Sequence, residues 1–150
     1  VEDVLKAAIE TFGQEIQQTV AIEECSEVIK EICKYERGKY SKLHMAEEIA
    51  DLQIVLGQLV IMYGKTNILG GFESNSIEEV IKDISYLQEL IVECGQGVKR
   101  SNECIKAQIE EVEVRIKWLK NHLNIEKLVD VYVRRKVDRL RETIVKAYKS

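Results

Sequence analysis

Two short runs carry the residues most able to do chemistry. They are Glu23-Glu24-Cys25-Ser26-Glu27 and, after twenty intervening residues, Glu48-Ile49-Ala50-Asp51. Glutamate is common on the solvated faces of helices, so a lone pair at i,i+3 carries little information. The helical wheel gives these pairs their meaning. At about 100° per residue, Glu24 and Glu27 fall in the arc that also holds Val20 and Val28, and Gln17 lies two turns earlier on almost the same line. Glu48 and Asp51 share an arc with Leu52, Val55, Leu59 and Met62. Both pairs therefore interrupt a core face. A buried carboxylate needs a compensating cation or a proton. Four carboxylates converging at one end of a helical bundle offer hard oxygen ligands, which suit Mg2+ or Mn2+ rather than zinc or copper. The plainer alternative puts one or both pairs at the edge of the apolar stripe, bridged to lysines.

A di-iron carboxylate bundle would use Glu-x-x-His pairs, and neither His44 nor His122 follows a glutamate by three residues. His44 lies one turn before Glu48 on the same face, either as a neighbour of the metal or as a solvated residue at a helix start. Cys25, Cys33, Cys94 and Cys104 form no CxxC pair and match no zinc spacing. Four reduced thiols in or near helical cores are expected, as in a cytoplasmic enzyme. The net charge of −4 argues against a nucleic-acid polymer as partner. No apolar run approaches the ~20 residues of a membrane span. The chain starts at Val1, so a few leading residues are expected to precede it, with no secretory signal.

The elements that must position these residues read as helices. There is no proline and there are only eight glycines, so few breakers interrupt many helix formers. Segments over about 2–12, 15–36 and 42–63 are punctuated by Gly13, by Arg37-Gly38 and by Gly64. The stretch from Lys65 to Asn75, with Gly70-Gly71, is the clearest loop, and Ser76 with Glu79 forms a capping box that starts a new helix. From there apolar residues recur every seventh position, at Ile77, Ile84, Ile91, Val98, Ile105, Val112 and Leu119. Such a seam packs helix on helix. It fits either one long helix or, preferably, a hairpin broken near Gly95-Gln96-Gly97, and it serves either a dimer interface or the chain's own core. Asn124 is placed to cap a last helix running to about Ala147. The expected class is all-α, a single-domain bundle of about five to six helices.

The carboxylate pattern, with Phe12-Gly13 and Gln17 ahead of it and the string Ile22-Glu23-Glu24-Cys25-Ser26-Glu27, resembles the MazG-like, all-alpha nucleoside triphosphate pyrophosphohydrolases. Arg135-Lys136-Val137-Asp138-Arg139-Leu140 is similar to the basic motif that closes their short, often phage-type, members. The resemblance covers a core of about 2–65 and 128–146, and the segment of about 69–123 reads as an inserted helical hairpin or long helix. It implies a homodimer or homotetramer that hydrolyses (deoxy)nucleoside triphosphates to monophosphate and pyrophosphate, in nucleotide-pool house-cleaning. It also implies Mg2+ as cofactor, with Mn2+ able to substitute, held by Glu24, Glu27, Glu48 and Asp51. Glu24 or Glu27 would be the catalytic base, while Arg135, Lys136 and Arg139 would hold phosphate oxygens and Gln17 the base or sugar.

Three alternatives stand beside this expectation. One is a base-selective enzyme of the same superfamily, of dUTPase or dCTPase type. Another is a phosphoribosyl-ATP pyrophosphohydrolase, disfavoured because Leu52-Gln53-Ile54-Val55 follows Asp51 where those enzymes usually carry Tyr-His. The third is a helical oligomerisation or interaction protein whose carboxylates are incidental.

Overall fold

Helix-stopping and helix-starting residues divide the chain. The computed structural model describes residues 1–66 and 74–150, and among these residues it contains six α-helices and no strand. They are α1 (Glu2–Phe12), α2 (Gln14–Glu36), α3 (Lys42–Tyr63), α4 (Ile77–Gly95), α5 (Lys99–Leu123) and α6 (Glu126–Lys149). The expected all-α bundle is what forms. Gly13, at φ 92°, separates α1 from α2 in a backbone conformation that a side chain would disfavour. The extended Ser41 accepts a hydrogen bond from the His44 N–H and starts α3. Ser76 does the same for α4, its Oγ 3.2 Å from the Glu79 nitrogen. The expected loop glycines Gly70 and Gly71 lie outside the described residues.

The segment after residue 76 is a hairpin. Its turn is Gln96–Val98, with Gly97 at φ 81°. One detail differs from expectation. Asn124 does not start the last helix; it ends α5 in the left-handed conformation (φ 55°), and α6 begins at Glu126 after Ile125. Asparagine tolerates that conformation better than other side chains, so it can close a helix as well as open one.

Helices α2, α3, α4 and α5 share one core. Ala21, Cys25, Val28 and Ile32 of α2 and Met45, Ile49, Leu52 and Leu59 of α3 are buried in the same cluster as the seam residues Ile84, Ile91, Ile105, Val112 and Leu119. The seam is thus consumed within the chain, leaving no stripe there for a second copy. Only Val98, at the hairpin turn, stays 40% exposed. Each fully buried Ile or Leu contributes on the order of 1.5–3 kcal/mol.

Arg115, 2% exposed, joins α5 to the start of α4. It donates through Nε to Asp83 Oδ2 at 2.7 Å and through Nη1 to Asn75 Oδ1 at 2.8 Å. Burial of such a cation is tolerated because it is paired and hydrogen-bonded. No described helix is long and apolar enough to cross a membrane.

A smaller cluster fixes α6. Val137 and Ile144 pack with Val4 and Ala8 of α1, and Val133, Leu140 and Ile54 pack against that group. Helix α1 also approaches α3 closely: a Cβ added at Gly57 would sit 2.7 Å from Leu5 Cδ1. Together α1 and α3 set which face of α6 looks inward, and so which of its cations reaches the carboxylates.

Candidate metal centre

Three of the four carboxylates that the wheel placed on core faces come together. Glu24 of α2 and Glu48 and Asp51 of α3 each present one carboxylate oxygen, and these three atoms lie within 4.8 Å of one another. All three side chains are half-buried. They are brought together because their neighbours on the same faces are core residues: Ala21, Cys25 and Val28 on α2, and Leu52 and Val55 on α3. Packing those residues carries the carboxylates inward with them.

The electrostatic cost is visible. Glu24 is pushed up from the ordinary 4.5 to about 7, first by burial and then by the charges of Asp51 and Glu48, with Lys136 opposing and Glu27 adding. Its Oε2 is buried with no hydrogen-bond partner. Glu48 is also raised, by burial first and then by Asp51 and Glu27. Desolvation and like charges both disfavour the ionised forms.

One side chain from α6 answers part of this charge. Lys136 Nζ lies 2.9 Å from Asp51 Oδ1 and 3.6 Å from Glu47 Oε1, and its side chain is 13% exposed. The lysine bridge weighed as the plainer alternative is therefore present for Asp51. It leaves Glu24 Oε2 unsatisfied. Beside these groups is a cavity of about 180 Å3. Its lining comprises the charged Glu24, Asp51 and Lys136, the amides of Gln17 and Gln58, and the apolar side chains of Val20, Ile54, Val55 and Leu140.

The donor set fits a hard divalent cation. Adjacent oxygens around octahedral Mg2+ are about 3 Å apart and opposite ones about 4 Å, so the three oxygens would have to draw closer together to share one ion. The unpartnered Glu24 oxygen is the atom that such an ion would satisfy. Carboxylate oxygens alone, without thiolate or imidazole, favour Mg2+ or Mn2+ over softer ions.

The remaining expected residues fall as follows. Glu27 is half-buried and lies outside the group of three oxygens, yet its charge acts on both Glu24 and Glu48. Gln17, 7% exposed, lines the cavity. The basic motif splits: Lys136 reaches the carboxylates, whereas Arg135 and Arg139 are exposed, with the Arg135 guanidinium 5.9 Å from the Tyr132 ring centroid. His44 is exposed at the start of α3, and His122 stacks on Trp118 with ring centroids 4.7 Å apart. All four cysteines are free, and burial pushes the Cys25 thiol up to about 12. A thiol held that high is protonated and inert at neutral pH.

Two contributors were not singled out in the sequence. Gln58, 3% exposed, follows Asp51 by seven residues, as Glu24 follows Gln17 by seven. Each helix thus sets an amide two turns from a carboxylate on one face, a spacing that reading for paired amides would have found. Glu47, adjacent to Glu48, is drawn in through Lys136, and its charge also raises Glu48. No protein-family model, curated protein or solved structure matches this chain.

Proposed function

We propose that the chain is a Mg2+-dependent hydrolase that cleaves nucleoside triphosphates to monophosphate and pyrophosphate. The observation that carries this reading is the convergence of Glu24, Glu48 and Asp51, with Glu24 and Asp51 lining a cavity that apolar side chains also line. Carboxylates alone would repel a triphosphate. Bound Mg2+ would reverse the local field and stabilise charge on the leaving pyrophosphate. The resemblance of the carboxylate and basic motifs to the MazG-like pyrophosphohydrolases supports the same reaction.

The chain's own residues divide the remaining work. Glu24, Glu48 and Asp51 hold the cation. Glu27 stands outside that set but close enough to influence it, so it is the better placed of the two base candidates to take a proton from the attacking water. Lys136 lines the cavity and can meet a phosphate oxygen. Arg135 and Arg139 act only on parts of the substrate that extend into solvent. Val20, Ile54 and Val55 offer an apolar surface for a base.

Gln17 and Gln58 in the cavity wall favour a base-selective member over a general one, because buried amides reject a partner that leaves them unpaired. Assembly into a dimer or tetramer belongs to the same reading. Val145 and Tyr148 of α6, 50% and 73% exposed, are apolar surface that it would cover.

The test is a nucleotide panel incubated with Mg2+ and resolved by chromatography. Monophosphate and pyrophosphate, abolished by excess chelator, are the expected products. Diphosphate and orthophosphate, or equal turnover in chelator, would overturn the proposal.

A further inference from the structure

We propose that Lys136 is an internal counter-cation, which pairs with Asp51 when no divalent ion is bound and competes with such an ion for it. It thereby sets the affinity of the cluster for divalent cations. This rests on reading the carboxylate cluster as a cation centre.

The geometry carries the argument. The Lys136 ammonium is 2.9 Å from Asp51 Oδ1, and Asp51 is also one of the three residues whose oxygens converge. A divalent ion at those oxygens would lie within roughly 5–7 Å of the ammonium, where a double and a single positive charge repel in a partly desolvated site. The two cations therefore compete for the Asp51 carboxylate. Lysine suits the exchange because its charge is compact and its four-carbon stem is flexible. The backbone beneath it need not move, since the adjacent Val137 is 3% exposed and anchored against α1.

The displaced ammonium has somewhere to go. Lys136 lines the cavity that also contains Glu24, Asp51 and Gln17. An anionic group of a ligand held at the cation would meet the ammonium there. One side chain thus links the arrival of the cation to the capture of an anion. Arg135 and Arg139, both exposed, are not placed to make this exchange.

A lysine with a merely structural role would lower stability and cation affinity together when replaced. A counter-cation separates the two. The test measures Mn2+ binding to the whole chain by electron paramagnetic resonance, without nucleotide, for wild type, Lys136→Met and Lys136→Arg. Thermal melts in chelator accompany it. Lys136→Met is expected to bind Mn2+ about tenfold more tightly and to melt at a lower temperature in chelator. Lys136→Arg, which keeps the charge, is expected to stay near wild type. If wild type binds Mn2+ and Lys136→Met binds it no more tightly, or if Lys136→Arg gains as much as Lys136→Met, the counter-cation role is wrong while the cation centre survives. If neither wild type nor Lys136→Met binds Mn2+ at millimolar concentration, both readings fall. Should Lys136→Met fail to fold, lysine side-chain NMR of wild type decides. Saturating Mg2+ must shift the Lys136 ammonium resonance, and an unmoved resonance would overturn the proposal.

Discussion

Glu24 of α2 and Asp51 of α3 face each other with carboxylate oxygens within 4.8 Å, although 27 positions separate them in sequence. The cation-free protein therefore holds like charges together in a half-buried site. Glu24 titrates near 7 in the folded chain against an ordinary 4.5, so the folded state binds protons more tightly than the unfolded one. Its contribution to stability is fully present below the unfolded value and is lost as pH rises through the folded value. Glu48 acts in the same direction. In chelator, the melting temperature of wild type relative to Glu24→Gln is expected to fall between about pH 4.5 and 7.5. A difference that stays flat or rises over that interval would contradict the site's electrostatics.

The hairpin is held by a different charge. Arg115 sits 2% exposed against Asp83, Asn75 and Glu79. Arg115→Met leaves Asp83 with its partner removed and is expected to cost about 3 kcal/mol in denaturant unfolding. Mn2+ affinity is expected to be unchanged, because the hairpin supplies none of the three converging oxygens. A loss of affinity with stability intact would reverse this division of labour.

The seam offers a second test of the fold. Ile84 is fully buried in the core shared with α2 and α3. Ile84→Ala is expected to destabilise the chain by about 2–5 kcal/mol, through lost burial and a residual cavity. Ile84→Asp combined with Ile91→Asp is expected to abolish folding. A well-folded double variant altered only in oligomeric mass would show that the seam serves an interface instead.

Much of this arrangement was legible in the residues. The helix boundaries followed glycine and serine, whose local physics needs no tertiary context: Gly13 and Gly64 stop helices, while Ser76 starts one. The convergence of Glu24, Glu48 and Asp51 was readable because each sat among apolar residues on its own wheel, but the same wheel also placed Glu27 among them, and Glu27 lies outside the group. Asn124 was not readable, since asparagine can cap either end of a helix and only the chain path decides. The choice among Arg135, Lys136 and Arg139 was hidden for a similar reason. A helix with basic residues on several faces does not announce which face turns inward; here the packing of Val137 and Ile144 on α1 decides it. Gln58 was hidden because an amide in a largely apolar run, which also holds Gln53, attracts no notice until the cavity it lines is known.

The most direct measurement of the central claim is Mn2+ binding to wild type and to Asp51→Asn, by equilibrium dialysis without nucleotide. Asp51→Asn removes one converging carboxylate charge while keeping the side chain's shape. Wild type is expected to bind Mn2+, and Asp51→Asn to bind it at least about tenfold more weakly while retaining its helical circular dichroism. Equal affinity in the two proteins, or no binding by wild type at millimolar Mn2+, would contradict a cation centre at Glu24, Glu48 and Asp51.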